Sequence, residues 1–558
     1  MKSEISKILA DTLKKERINI PIKEIEERIE IPPNQEMGDF AFPCFFLSPI
    51  LKKNPQEIAI KLKNEVKLSN NIKSVQVNGG YINFFVDKED FSEKIINQIL
   101  KEKENYGKTN IGKNEKVLVE HTSINPNASP HVGRSRNAFI GDSLVKILRF
   151  LNYNVEVHYF VNDVSKQIAM LVYGKTENQK FDSMLKKYIL VAAKVKNSKK
   201  AEKEVFDLLY KFEHNDKKIM KRFKKVTKIC VDGQKKILSD LGIKYDSFDY
   251  ESDYIGKAKK ILLELEKTGK LFKHENRSVL DLKGTSIEGQ MKSPVLVLTR
   301  SDGTGLYPLR DIAYTLNKIS KAKENIIILG EDQKLYFQQL TEALKLLKKN
   351  YPKVVHYSFI LLSEKGKSRK MSTRKGDVVL LEDFVEDAVK KAKKETSKRK
   401  TRGDPKKIAI CAVKYSILKI SPNKPINFNL EEALNFEGDT GPYLLYSYAR
   451  ASNILRKSKT KKQKNKKFLV NELNENEVEL VKKLSSFPEI VLNSHKTLNP
   501  AIIANYSYHL AQIFNEFYHS SKVINSENEN FRLKIVESFR IVLKNSLKLL
   551  GIETIDRM

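Results

Sequence analysis

Apolar and polar positions change period several times along the chain, and those changes mark its organisation. The opening stretch, MKSEISKILADTLKKER, spaces apolar residues at helical intervals and carries charge throughout, which predicts an amphipathic helix. Helical patterns flank PPNQEMGDFAFPCF, and VQVNGGYINFFVD then alternates apolar and polar residues around Asn78-Gly79-Gly80, a hairpin signature. Residues 1–105 are therefore expected to form a small α/β unit. The polar stretch KEKENYGKTNIGKNE (101–115) supplies a boundary.

From Lys116 the pattern is strand, loop, helix, strand: VLVE, HTSINPNASPHVG, RNAFIGDSLVKILRFLNY and VEVHYFV. That is a βαβ unit. A lysine-rich helical region at about 185–240 reads as an insertion. Strand candidates return at SVLDL, PVLVLTR, NIIILG and HYSFILLS, with helical stretches between several of them. The alternation predicts a doubly wound, Rossmann-like parallel sheet, on which ligands bind at the carboxyl ends of the strands. From about 400 onward the pattern is almost wholly helical. The run KSKTKKQKNKK (457–467) interrupts it without periodicity and reads as a solvated linker.

A chain of 558 residues is too long for one core and predicts about three domains. No apolar run is long enough to span a bilayer, so no membrane partner is expected. The richest run, FAFPCFFLSPIL, is short and broken by two prolines, and the charged N-terminus does not read as a signal peptide. Cys44, Cys230 and Cys411 lie far apart, which leaves neither a disulfide framework nor a structural zinc site in view. A cytoplasmic protein without a bound metal is the simplest expectation. The formal net charge of +33 favours a polyanionic partner, nucleic acid before membrane. A compositional bias towards Lys, Asn and Ile is the bland alternative.

Two stretches carry candidate chemistry. In PHVGRSRNAFIGD a loop after a strand runs into a helix whose N-terminus attracts anions. His131 can donate to phosphate oxygens, Gly133 lets a base or ribose approach the backbone, and Arg134 and Arg136 add charge. Alone, this is no more than a basic loop ahead of a core helix. In SEKGKSRKMSTRKGDVVLLEDF, Lys365, Lys367, Arg369, Lys370 and Arg374 crowd a loop rich in small residues, with Lys375 adjacent. Such a loop can close on a polyphosphate and stabilise charge developing at its α-phosphorus; an exposed basic turn is the competing reading.

In this order on an α/β sheet, the two loops resemble the ATP-binding signatures of the class I aminoacyl-tRNA synthetases. His131-Val132-Gly133-Arg134 stands for His-Ile-Gly-His, and Lys370-Met371-Ser372-Thr373-Arg374 for Lys-Met-Ser-Lys-Ser. In detail, VEHTSINPNASPHVGRSRNAFIGD, VNDVSKQIAMLVYG, SDGTGLYPLRDIAY, GDTGPYLLYSYAR and the terminal LGIETIDRM resemble the arginyl-tRNA synthetases from one end to the other. The resemblance implies an N-terminal domain (1–105) that contacts the tRNA elbow. It further implies a catalytic domain (106–400) with an insertion at about 170–290, and an all-α anticodon-binding domain (401–558). The implied reaction is ATP-dependent activation of L-arginine to arginyl-adenylate, formed only with tRNA bound, then transfer to the 3′-terminal adenosine of tRNA(Arg). Magnesium would accompany ATP, and a monomer is the family expectation.

Site roles follow from the same resemblance. His131, Gly133, Arg134, Lys370, Met371 and Ser372 would contact ATP, with His131, Arg134 and Lys370 stabilising the reacting phosphate. Glu120 and Asp311 would hold the guanidinium, which suits a planar group that meets carboxylates in a fork. Tyr307 would stand beside them, Asn125 and Gln333 would hold the α-amino end, and Ser123 lines the same loop. Tyr443, Tyr446 and Arg450 share one helical face, with Asp439 or Thr440 as the cap and Pro442 in the first turn. Exposed tyrosines stack on unpaired bases, so these residues and Met558 are the tRNA-binding candidates, against packing between helices.

The chain departs from the family pattern in two places. Arg134 replaces the second signature histidine, as a longer and permanently charged donor. Thr373 replaces the second signature lysine, whose charge Arg374 or Lys375 could supply. Nucleotidyltransferases with a similar His-Gly loop are typically short and lack a helical RNA-reading domain. Cysteinyl enzymes need a zinc site, and the isoleucyl, leucyl and valyl enzymes need large editing domains.

Overall fold

The computed structural model describes residues 2–30, 32, 35–69, 71–364, 367–370, 379–399, 402–458 and 473–558. They fall into two compact units, one of Met1–Glu102, Thr460–Ser485 and Glu516–Ser538, the other of Lys103–Lys459, Ser486–Asn515 and Phe539–Met558.

In the first unit, strands β1 (Phe40–Pro43), β2 (Ile72–Asn78) and β3 (Tyr81–Val86) form an antiparallel sheet in the order β1-β3-β2. The Asn78-Gly79 signature is the β2–β3 turn, and Gly79 takes the positive φ of +56° that such a turn demands. The helices Lys2–Lys15 and Pro55–Glu65 bury Ile5, Leu9, Leu13, Ile58 and Leu62 in one core with Phe42, Ile82 and Phe84. Asp39, just before β1, extends the pairing of that strand with the central strand: its Oδ2 accepts from the Val86 amide at 2.8 Å, and its other oxygen pairs with Lys482.

The second unit is built on five parallel strands: β4 (Lys116–Glu120), β5 (Asn154–Val161), β6 (Ser247–Tyr250), β10 (Glu324–Gly330) and β11 (Lys353–Tyr357). Their order is β11-β10-β4-β5-β6. The order reverses between β4 and β10, and the crevice beyond the carboxyl ends of those two strands is where such sheets bind ligands. The middles of both central strands are continuous apolar runs, VLV and IIIL, as expected of a parallel sheet covered on two faces. The helix Val132–Phe150 follows β4 and is buried along most of its length. The helices Lys166–Tyr173, Met184–Asn197, Lys199–Glu213 and Lys217–Asp240 form the lysine-rich insertion, around a core that includes Ile168, Val205, Phe212, Phe223 and Cys230.

Three strand assignments need correction, the first being HYSFILLS, of which only His356 and Tyr357 belong to the parallel sheet while Ile360–Glu364 form a strand of another. SVLDL and PVLVLTR do not join the parallel sheet. They supply β8 (Arg277–Asp281) and β9 (Val295–Val297), which with β7 (Leu271–His274) make a separate antiparallel sheet. A short apolar run does not disclose the direction of its partner. The fifth parallel strand is SFDY, an edge strand with no fully buried position and so no strong apolar signal. A third small sheet joins β12 (Ile360–Glu364), β13 (Lys367–Lys370) and β14 (Ile426–Phe428). The C-terminal part is helical, with Pro405–Leu418, Gly441–Lys457, Phe487–Lys496, Ala501–Ser520 and Glu529–Leu549. No described helix is long and apolar enough to cross a membrane.

Candidate active site

β4 delivers Glu120 to the crevice, and the chain then turns sharply: Thr122 and Ser123 both have positive φ, +74° and +41°. Non-glycine residues in that region are strained and need to be held. The Thr122 amide donates to Asn137 Oδ1 at 2.7 Å, and Asn137 Nδ2 donates to the Ile328 carbonyl of β10 at 2.9 Å. One buried amide thus ties the loop to both strands of the crevice. Further along, the Ile124 amide donates to the Tyr159 hydroxyl at 3.1 Å, and that hydroxyl donates to Gln234 Oε1 at 2.8 Å. Gln234 Nε2 in turn donates to the carbonyls of Asn125 (3.0 Å) and Ala128 (2.8 Å). Sequence reasoning missed all three tethers. Only Gln234 left a trace, as a polar residue among the buried positions of the helix Lys217–Asp240.

His131 is the extended residue that caps the next helix, and burial together with the Arg134 guanidinium lowers its imidazole to about 4. At neutral pH it is an uncharged donor or acceptor, and its Nδ1 has no partner among the described residues. The second loop returns here: the Val132 amide donates to Val379 O at 3.0 Å, the Leu381 amide to Pro130 O at 2.8 Å, and His131 bridges Leu380. Lys370 ends β13. Met371 and Ser372, with Thr373, Arg374 and Lys375, lie outside the described residues.

Arg134 is half-buried in the first turn of the helix Val132–Phe150, one residue beyond the half-buried Gly133. Arg136 does not add charge to a phosphate site. It is fully buried, its guanidinium donates to the carbonyls of Ser358 and Ser421 at 2.8 Å each, and burial lowers its pKa to about 10. Facing the core on that helix, it serves to join segments.

The acidic candidates lie on two elements. Glu120 is buried, Ser123 Oγ lies 3.3 Å from its Oε1, and its Oε2 forms an ion pair with Lys318. Lys318, absent from the sequence reading, stands on the helix Tyr307–Lys321 together with Asp311, and its ammonium lies 4.3 Å from the Tyr314 ring centroid. Burial raises the Asp311 carboxyl to about 6, against the Tyr336 hydroxyl, which donates to it at 2.6 Å, and against Lys318; Glu120 adds to the rise. The Tyr307 ring stacks obliquely on Tyr336, 5.0 Å between centroids. Behind them Arg310, also buried, donates to Glu251 at 2.6 Å. Gln333 is exposed and its amide donates to the neighbouring Asp332 at 3.4 Å, so nothing in its contacts joins it to Asn125.

Thr440 caps the helix Gly441–Lys457, with Pro442 in its first turn. On that helix Arg450 lies over the exposed Tyr446 ring at 4.8 Å and also bonds Asn515, while Asn515 Nδ2 donates to the Tyr443 hydroxyl at 2.8 Å. The half-buried Tyr443 packs at 5.8 Å from Tyr508. Met558 lies in the chain's tail, which Asp556 ties to Ser452 of the same helix at 3.2 Å.

This strand order, a helix N-terminus after the central strand β4 and the pairing of residues 379–381 beside it suit a nucleotide-binding doubly wound sheet, and the class I aminoacyl-tRNA synthetase catalytic domain matches it. Three family matches cover nearly the whole chain. They are the arginyl-tRNA synthetase N-terminal domain over residues 2–86, the class I (R) catalytic domain over 95–428 and the DALR anticodon binding domain over 444–558. The arginine–tRNA ligase of Methanocaldococcus jannaschii is 38% identical over the full length of both chains, and that of Methanosphaera stadtmanae 37% over 100% of this chain and 99% of its own. Among solved structures, Thermus thermophilus arginyl-tRNA synthetase superposes with a TM-score of 0.80 at 25% identity, covering 100% of both chains. The Plasmodium falciparum arginyl-tRNA synthetase reaches the same score at 20% identity, covering 100% of this chain and 98% of its own, and speaks for the fold alone. The chain belongs to the arginyl-tRNA synthetase family, and its catalytic domain is that of an aminoacyl-tRNA ligase.

Proposed function

We propose that the crevice between β4 and β10 activates L-arginine with MgATP and passes it to the 3′-terminal adenosine of tRNA(Arg). The arginine carboxylate attacks the α-phosphorus, pyrophosphate leaves, and the ribose 2′-hydroxyl then takes the arginyl group from AMP. The observation that supports this best is the backbone pairing of residues 130–132 with 379–381. It sets the start of the His131 helix beside the exit of the loop that Lys370 enters, where two groups of donors can meet one polyphosphate.

In this reading His131 and Arg134 donate to the phosphates, with Gly133 admitting the nucleotide, and Lys370, Met371 and Ser372 close over it. No proton carrier is needed, so a neutral His131 and a permanently charged Arg134 suffice. Positioning and charge stabilisation do the work, as in other phosphoryl transfers. Glu120 and Asp311 take the guanidinium, Tyr307 walls the pocket, and Ser123, Asn125 and Gln333 face the amino-acid end. Tyr443, Tyr446, Arg450 and Met558 contact tRNA within an anticodon-binding domain at 401–558. Residues 1–105 meet the tRNA elbow, and 106–400, with an insertion at about 170–290, catalyse. A cytoplasmic monomer completes the reading.

Pyrophosphate exchange with each amino acid, with and without tRNA, tests it. Exchange should appear with arginine and tRNA together. Lys370→Ala should cut it by roughly two orders of magnitude, the usual loss of a transition-state donor, while Arg134→His should keep it. Near-normal exchange in Lys370→Ala removes lysine from its role.

A further inference from the structure

Lys318 is a charged group beside the crevice that the reaction above does not use, and unlike Arg310, which turns to Glu251, it pairs with a proposed substrate-binding acid. It is almost wholly buried, as is Glu120, with side-chain exposures of 2% and 6%. A buried lysine beside the acid meant for a cationic substrate asks for a reason, because it competes for that acid. Helix geometry places it there: Asp311, Tyr314 and Lys318 are three and then four residues apart, so all three share one face.

Taking Glu120 and Asp311 as the guanidinium's partners, as proposed above, we infer that Lys318 is the pocket's resident counter-ion: it leaves the two carboxylates one net negative charge, which one guanidinium completes. Lys318 commits Glu120 Oε2 and leaves Oε1 on the side of Ser123. Two carboxylates and two cations then balance in a buried site, where unbalanced charge is costly. Without the lysine, two acids would share a desolvated space, and one would keep its proton to higher pH.

Asp311 is the acid whose state reports this. The groups that act on it are the Tyr336 hydroxyl, Lys318, Glu120, and Arg310, itself turned to Glu251. Tyr307 and Glu251 feel the Asp311 charge in return.

Calorimetric titration of the full chain with arginine, from pH 5 to 8, tests the inference. In the wild type, affinity rises as pH climbs through about 6 and then levels. Lys318→Met should move that rise up by about one pH unit or more, since Glu120 is no longer neutralised. Glu120→Gln should weaken arginine at every pH and move the rise down, because Lys318 then acts on Asp311 uncompensated. The double variant should return the rise towards the wild-type position, and Lys318→Arg should stay near it. If Lys318→Met does not fold, the opposite shifts of Glu120→Gln and the double variant still decide. A pH-independent loss in every variant overturns the inference, for that is what a merely structural lysine would give. Unchanged affinity in Glu120→Gln overturns instead the assignment of Glu120 on which the inference rests.

Discussion

As the guanidinium partner proposed above, Asp311 must be ionised, yet burial holds its carboxyl at about 6. The raised value has two consequences of opposite sign. On the proposed assignment, arginine should be held less well below about pH 6, where the acid is protonated. Folding is penalised above it, because the unfolded chain releases that proton from an ordinary carboxyl near 3.8. Between about pH 4 and 6 the folded chain holds the extra proton, so this residue's contribution to stability falls as pH rises through that window and stays low above it. Asp311→Asn removes the titration. The variant is expected to melt higher than the wild type at pH 7.5, to melt at the same temperature near pH 4, and to lose arginine binding. Scanning calorimetry at both pH values measures this, and a lower melting temperature at pH 7.5 would show that the ionised carboxylate stabilises the fold. His131 presents the reverse case. Lowered to about 4, it is already deprotonated in neutral solution, so in its proposed role it would meet phosphate as an uncharged hydrogen-bonding group.

At the scale of elements, the loop from His121 to Pro130 has no regular structure and two strained residues, so its shape depends on what holds it. Tyr159 comes from β5 and Gln234 from the insertion helix Lys217–Asp240, and together they bond the backbone at Ile124, Asn125 and Ala128. Tyr159→Phe leaves the Ile124 amide and Gln234 Oε1 without that partner in a buried setting, a loss on the order of 1–3 kcal/mol. We expect KM for arginine to rise by about tenfold with kcat changed less, since the loop carries Ser123 and Asn125, proposed above to face the amino acid; steady-state aminoacylation measures both. An unmoved KM would mean that Asn137 and the Gln234 amide hold the loop without the Tyr159 hydroxyl. Much of this architecture was legible in the chain. The Asn78-Gly79 hairpin, the βαβ unit at Lys116 and the helical C-terminus followed from periodicity, because each buries a face with its own repeat. The edge strand Ser247–Tyr250 did not, having no buried face to pattern. The motifs single out Glu120 and Asp311 as candidates, but Lys318 does not stand out in the sequence and Arg136 reads there as phosphate-site charge. On the apolar face of a helix a long cation can bend outward to water, and only the fold shows that these two turn inward to partners.

For the molecule as a whole, 102 basic against 69 acidic side chains set the field a tRNA meets on approach. Seven of the eleven residues in KSKTKKQKNKK (457–467) are lysine, and the run follows the helix that carries Tyr443, Tyr446 and Arg450. From Lys459 on, it lies outside the described residues, so its contribution has to be read from binding. Each lysine that neutralises a phosphate releases a counterion and adds about 0.7–0.9 to the slope of log K against log salt. Replacing the lysines with serine, so that the connection keeps its length, should lower that slope by about two or more and weaken tRNA most at low salt. KM for arginine should not change, because the run is remote in sequence from both signature loops. Filter binding of tRNA between about 50 and 200 mM salt, the range over which such contacts dominate, measures the slope. An unaltered slope would make the run a spacer and return the work of tRNA attraction to the rest of the chain. A lower slope with unchanged selectivity among tRNAs would show that the run adds general affinity, and that the choice of tRNA(Arg) is made elsewhere.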